Sequence, residues 1–228
     1  MYESYWGLNE PAFSLTPDPR FLYMSRNHED ALVSLIHAVQ RNKGAALLMG
    51  EIGHGKTTVS RKLIEMLDPV QYRVVLNVNP ILTPAQMIQE ILSQLGVGVD
   101  TSNRQALVQR LHIELTDLYA RGQRAVVIVD EAHMIKSSAT FEELRLLLNC
   151  QMNDQFLLTL IFIGQLELRR RIEKVPALCQ RLAVQQTLGP LDATETGEMI
   201  LHRLRVAGYT GARSPFTPDA IHQMHRAT

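Results

Sequence analysis

Short runs of unbroken apolar residues alternate along the chain with stretches in which apolar positions recur every three or four residues. Ala45 to Met49 predicts a strand, and after a glycine-rich loop Val59, Leu63, Ile64 and Leu67 predict a helix over 58–67. Tyr72 to Val78 predicts a second strand. Thr83 then stands as the N-cap of a helix, with Pro84 in its first turn and Gly96 at its end. Leu107, Leu111, Leu115 and Leu118 form one stripe of a longer helix that stops at Gly122. The run Ala125 to Val129, a helix around Phe141 to Leu148, the run Phe156 to Ile163 and a short strand from Ala183 to Leu188 continue the alternation. Strands without polar alternation, separated by helices, belong to a parallel sheet buried on both faces. The expected class is α/β: a parallel five-stranded sheet covered by helices on both faces.

Composition narrows this only slightly. With 228 residues, 46% of them hydrophobic and 20% charged, the chain can bury a substantial core and is neither fibrous nor disordered. Lys and Arg total 23, equal to Asp and Glu, so no global field points to nucleic acid or an anionic membrane. Cys150 and Cys179 lie in apolar or helical surroundings without CxxC or His-Cys spacing, the pattern of reduced core thiols in a cytosolic protein. The start MYESYWGLNEP has no basic segment followed by an apolar block, and no apolar run approaches the ~20 residues that span a bilayer. These features predict a cytoplasmic chain that makes no direct membrane contact.

The chemistry lies at the ends of the predicted strands. Gly50-Glu51-Ile52-Gly53-His54-Gly55-Lys56-Thr57 fits G-x-x-x-x-G-K-[ST] between a strand and a helix, the setting a phosphate-binding loop requires. Its glycines let backbone N–H groups turn toward phosphates, and the helix that follows adds its positive dipole end. Gly50 through Thr57, together with Thr58 at the start of the helix, form the candidate ATP-binding segment. Lys56 would reach the β and γ phosphates and the Thr57 hydroxyl would coordinate Mg2+. His54, at a free position of the loop, reads as facing solvent or a neighbouring subunit. A second apolar strand, Val126 to Val129, ends in Asp130-Glu131. Asp130 at that strand end can hold magnesium directly or through water. Glu131 beside it can orient and polarise a water, which implies hydrolysis rather than transfer to a metabolite.

A third apolar strand, Leu160 to Gly164, ends in Gln165. These three motifs in this order resemble P-loop NTPases of the AAA+ type, and the resemblance implies that Gln165 senses the γ-phosphate. A narrower likeness rests on Tyr2, Tyr5, Trp6, Gly7, Leu8, Pro11 and Phe13, followed by Leu15-Thr16-Pro17-Asp18-Pro19-Arg20-Phe21-Leu22-Tyr23 and His28. This segment is similar to the signature of the general secretion pathway A (ExeA-like) family of AAA+ ATPases, and the likeness runs from residue 2 to about residue 190, closing on Leu188-Gly189-Pro190-Leu191. Read from its residues alone, the segment is a proline-punctuated arm with aromatic anchors that could pack on the core. The resemblance implies that Phe21, Tyr23 and the helix after His28 cover the adenine.

The family resemblance carries several further expectations. It implies a ring or other homo-oligomer in which an arginine of one subunit completes the site of the next. Arg181, just before the last core strand, is the favoured finger, and Arg169, Arg170 and Arg171 read better as a solvated helix face. The expected organisation is an arm over 1–29 packed on the core, a nucleotide-binding core over 30–190 and an incomplete helical lid over 191–228, with helices over 194–206 and 218–226. The resemblance implies that the lid's sensor arginine and an inner-membrane attachment lie beyond residue 228. It also implies ATP turnover that drives assembly or placement of a cell-envelope secretion or pilus-type complex, with a membrane-bound partner protein. Two alternatives remain: a DNA-binding regulator of transposition, favoured by the basic bias of Arg203, Arg205, Arg213 and Arg226, and a slowly hydrolysing nucleotide switch.

Overall fold

A computed structural model describes residues 2–14, 18–152 and 154–227; Leu15, Thr16 and Pro17 of the arm signature lie outside the described residues. The chain divides into two compact units, one over residues 30–188 and one formed by residues 1–29 with 189–228.

The larger unit is an α/β layer structure. Helix α2 (Arg26–Gln40), most of which belongs to this unit, leads into β1 (Ala45–Gly50), whose six residues are all buried. Then come α3 (Lys56–Met66), β2 (Tyr72–Asn77), α4 (Pro84–Gln94), α5 (Arg104–Ala120) and β3 (Arg124–Val129). A single 3-10 turn (Ala132–Met134) precedes α6 (Ser138–Leu147). A two-residue hairpin, β4 (Gln151–Met152) with β5 (Gln155–Phe156), leads to β6 (Leu158–Gly164), α7 (Glu167–Ile172), α8 (Pro176–Cys179) and β7 (Leu182–Leu188). The main sheet has five strands in the order β2-β3-β6-β1-β7, and every pairing is parallel.

Burial explains the sequence pattern strand by strand. The central strand β6 is buried at all seven positions, so it carries no polar alternation. The edge strand β7 alternates between half-buried and exposed positions, which is how Gln185 and Gln186 are tolerated in it. Helix α4 starts on a capping box between Thr83 and Gln86, and α5 starts where the Asn103 side chain accepts the Ala106 N–H. Gly96 and Gly122 follow these two helices with φ of 87° and 75°, conformations that only glycine adopts without strain. One predicted strand is divided in two. Phe156 pairs with Gln151 in the hairpin instead of joining the main sheet, because Asp154 turns the chain at φ 60° and the Leu157 N–H donates to the Cys150 carbonyl.

The smaller unit contains α1 (Tyr2–Trp6), a 3-10 turn (Pro19–Phe21), α9 (Ala193–Val206) and α10 (Pro218–Ala227). Leu8, Ala12 and Phe21 of the arm share one apolar cluster with Ile200, Leu204 and Ala207. The Asn9 N–H also donates to the Ala207 carbonyl at 2.7 Å. Leu8, Ala12 and Phe21 of the arm are thus buried among the C-terminal residues, while Tyr5, Trp6 and Phe13 are exposed. Helix α9 begins on a capping box between Asp192 and Glu195.

Phe162 lies in the middle of β6 with no exposed surface, its ring centroid 5.9 Å from that of Phe141 on α6. Phe162→Ala is expected to destabilise the fold by about 3–5 kcal/mol through lost burial and the cavity left behind. A lower urea midpoint at an unchanged m-value would register this, and an unshifted midpoint would contradict the assignment of this ring to the core.

Candidate functional site

Parallel pairing lines up the strand ends that carry polar residues. Met49 of β1 is level with Gly164 of β6, and Val129 of β3 is level with Phe162 of the same strand. The glycine loop, Asp130 and Gln165 therefore emerge together at the carboxyl edge of the sheet, the usual ligand edge of open α/β folds.

The loop after β1 is shaped by its glycines. Gly53 and Gly55 have φ of 85° and 75°, and Gly55 directly precedes α3. Gly50 is required by space: a Cβ there would lie 3.1 Å from the Leu188 Cβ and carbonyl oxygen at the end of β7. Lys56 is buried, and its ammonium donates to the carbonyls of Gly50 at 3.0 Å and Glu51 at 2.9 Å. Its cation thus lies inside the loop, beside amide groups at a helix N-terminus, a donor set that fits a polyphosphate. Glu51, Ile52, Gly53 and Thr57 are exposed, and Thr58 is half-buried at the first turn of α3. His54 is half-buried, its Nδ1 lying 3.0 Å from the Leu188 carbonyl oxygen. That contact corrects the expectation of a solvent- or neighbour-facing side chain and ties the loop to β7.

Asp130 is buried at the end of β3, where its N–H donates to the Asn77 carbonyl at 2.9 Å and its carboxylate accepts the Glu131 N–H at 2.8 Å. Burial raises its pKa above the usual carboxylate range and the Glu131 charge adds to this, against the opposing pull of the Glu131 N–H, Lys56 and His133. A desolvated carboxylate of this kind suits a hard divalent cation. Glu131 has φ 50° and ψ 31°, a left-handed conformation that costs a non-glycine residue ~1–2 kcal/mol. Its half-exposed carboxylate approaches His133 Nδ1 at 3.3 Å. Gln165 is partly buried, and its backbone N–H points to the same Nδ1 at 3.4 Å.

The arginines divide by edge. Arg181 precedes β7 at the amino edge of the sheet, its carbonyl accepting the N–H of Ala45, the first residue of β1. Its guanidinium lies over the Phe156 ring at 5.3 Å. The phosphate loop begins at the other end of β1, about 20 Å away at ~3.3 Å per residue. Arg181 therefore cannot serve the phosphate loop of its own chain. On α7, Arg169 pairs with Glu173 at 3.3 Å, Arg171 pairs with Glu167 at 3.5 Å and donates to the Ile135 carbonyl, and Arg170 is exposed. Phe21 and Tyr23 belong to the smaller unit. There Phe21 is buried in the apolar cluster, while the Tyr23 hydroxyl donates to Glu198; burial and that carboxylate push the phenol pKa upward.

A family model described as an AAA domain matches residues 39–172, more than half of the chain. The chain belongs to the AAA domain family. It is also 36% identical over 230 residues to general secretion pathway protein A of Aeromonas hydrophila, an alignment covering 99% of this chain and 41% of that protein. The chain thus spans about two-fifths of that relative's length. Solved structures share the fold. The Aeropyrum pernix ORC1 protein in complex with DNA superposes with a TM-score of 0.67 at 20% identity, over 88% of this chain and 55% of that one. The ADP form of ORC2 from Aeropyrum pernix gives 0.66 at 15% identity, over 95% and 60%. Cdc6p of Pyrobaculum aerophilum gives 0.61 at 17% identity, over 93% and 59%. At these identities the likeness is one of architecture.

As an AAA domain the chain is of the ATPase class, which binds ATP with Mg2+. Among the described residues no helix is long and apolar enough to cross a membrane. Sequence reasoning overlooked His133. The only signal was its place two residues beyond the acidic pair, and nothing in the sequence brings it to Gln165.

Two predictions follow from this geometry. Lys56→Ala should abolish tight triphosphate binding, and unchanged binding by calorimetry would remove the loop assignment. Because the folded-state pKa of Asp130 is raised, its charge opposes folding above that pKa, and the cost is relieved as pH falls through it. Asp130→Asn should therefore raise the nucleotide-free Tm at pH 8. The gain should shrink in acid. A lower Tm at pH 8 would mean that the carboxylate is held by its partners rather than strained by burial.

Proposed function

We propose that this AAA domain hydrolyses ATP to drive assembly or placement of a cell-envelope secretion complex. The observation that carries hydrolysis is the Asp130-Glu131 pair at the carboxyl end of β3, on the same edge as the phosphate loop. The secretion setting rests on the 36% identity to general secretion pathway protein A.

In this reading Lys56 leaves the carbonyls of Gly50 and Glu51 and pairs with the β and γ phosphates, while the loop amides of residues 50–58 hold the remaining oxygens. Thr57 and Asp130 would hold magnesium, whose charge would offset that of the phosphates. The Glu131 carboxylate orients the attacking water and accepts its proton. Gln165 contacts the γ-phosphate from the end of β6. Arg181, on the edge opposite its own loop, acts on the site of a neighbouring copy in a homo-oligomer, where a guanidinium stabilises the transferring phosphate. The domain works in the cytoplasm with a membrane-bound partner protein, and the whole protein is attached to the inner membrane through a segment outside this chain.

Glu131→Gln should keep ATP binding and lose turnover; phosphate release near the parental rate would place the base elsewhere. Arg181→Ala and Lys56→Ala should each be inactive alone yet regain turnover when mixed, because one supplies the intact loop and the other the intact arginine. No recovery on mixing would remove Arg181 from the reading. The parent's turnover should rise faster than linearly with protein concentration and ignore duplex DNA at low salt. Strong stimulation by duplex would favour a DNA-binding regulator instead.

A further inference from the structure

We propose that His133 is a positioning residue for hydrolysis, holding the Glu131 carboxylate through Nδ1. The inference rests on the reading of Glu131 as the water-activating carboxylate.

Three features converge on this imidazole. His133 is buried, and one ring nitrogen, Nδ1, lies 3.3 Å from Glu131 Oε2 and 3.4 Å from the Gln165 backbone nitrogen. Gly164 makes the approach possible, since a Cβ there would lie 3.1 Å from the His133 backbone nitrogen and 3.2 Å from Nδ1. Glu131 leaves its strand in a left-handed conformation, a strained backbone of the kind that gathers at functional sites.

A neutral imidazole nitrogen either donates or accepts. With the proton on Nδ1, His133 donates to Glu131 and the Gln165 N–H goes without this partner. With Nδ1 bare, it accepts from Gln165 and releases Glu131. The two contacts compete for one atom, and the bond to the carboxylate is the stronger because it is charge-assisted. In the nucleotide-free chain His133 therefore carries its proton on Nδ1 and orients Glu131, as a third group orients the base in activated-nucleophile sites.

The test uses substitutions that keep different atoms. Asparagine places an amide atom two bonds from Cβ, where Nδ1 stands, whereas glutamine places one at the Nε2 position. His133→Asn should keep turnover within about threefold of the parent, while His133→Gln and His133→Ala should lose about tenfold, less than the roughly 10²–10⁴-fold typical of a general base itself. ATP affinity by calorimetry should change less than about threefold in all three, since the residue acts on turnover and not on binding. Equal losses in the Asn and Gln variants, or losses that track ATP affinity, would overturn the proposal.

A second measurement needs neither turnover nor a His133 variant. Imidazole nitrogen shifts in nucleotide-free, 15N-histidine-labelled protein should show His133 as the Nδ1–H tautomer in the parent and as Nε2–H in Glu131→Ala. A tautomer indifferent to Glu131→Ala would overturn the contact itself. A parent chain that binds no ATP would overturn the ATPase reading and leave the tautomer experiment to decide the His133 contact.

Discussion

The parallel pairing of β1 with β6 and of β6 with β3 is the constraint on which the candidate site depends. It sets Met49 level with Gly164 and Val129 level with Phe162, so three separate chain segments end at one edge. A register slip of one residue would turn each side chain to the other face and pull the strand ends out of line. Burial of β1 and β6 at every position holds the register, because a slip would carry the polar residues that follow each strand toward the core. The core and the site are in this sense one object: the apolar runs fix where the polar residues after them must lie.

That edge concentrates unfavourable features. A buried carboxylate with a raised pKa at Asp130 and a left-handed Glu131 are each less stable than an ordinary surface residue. Such features persist where the surrounding structure over-determines them, and they gather where charge is to be bound. The fixed end of β7 contributes as well. The Leu188 carbonyl oxygen meets His54 while the β7 backbone passes close over Gly50, so the loop is anchored to the sheet on the side away from β3.

Much of this was legible in the apolar pattern. The five strands, the caps at Thr83, the glycine stops at Gly96 and Gly122 and the phosphate loop all depend on local spacing or on the conformational range of a single residue type. Less legible was the run ending at Ile163. Phe156 is apolar and adjacent to a strand, yet Asp154 turns it into a hairpin whose ring serves Arg181, and no periodicity distinguishes those roles. The arm was equally ambiguous. Leu8 and Phe21 stand out in the sequence and Ala12 does not, and the surface all three bury against is chosen by residues about 180 or more positions away, on the order of separations at which pattern carries no information.

By itself the sequence determined the α/β class, the strand and helix content and the identity of the phosphate loop and acidic pair. Those follow from hydrophobic period, glycine's access to positive φ and the chemistry of a lysine and two carboxylates. Tertiary structure alone decided that His133 stands between Glu131 and Gln165, that Arg181 lies on the edge opposite its own loop, and that His54 reaches Leu188. Each of these is a contact between strand ends far apart in the chain, and their meeting is set by strand order and register, which cooperative packing of the whole sheet selects.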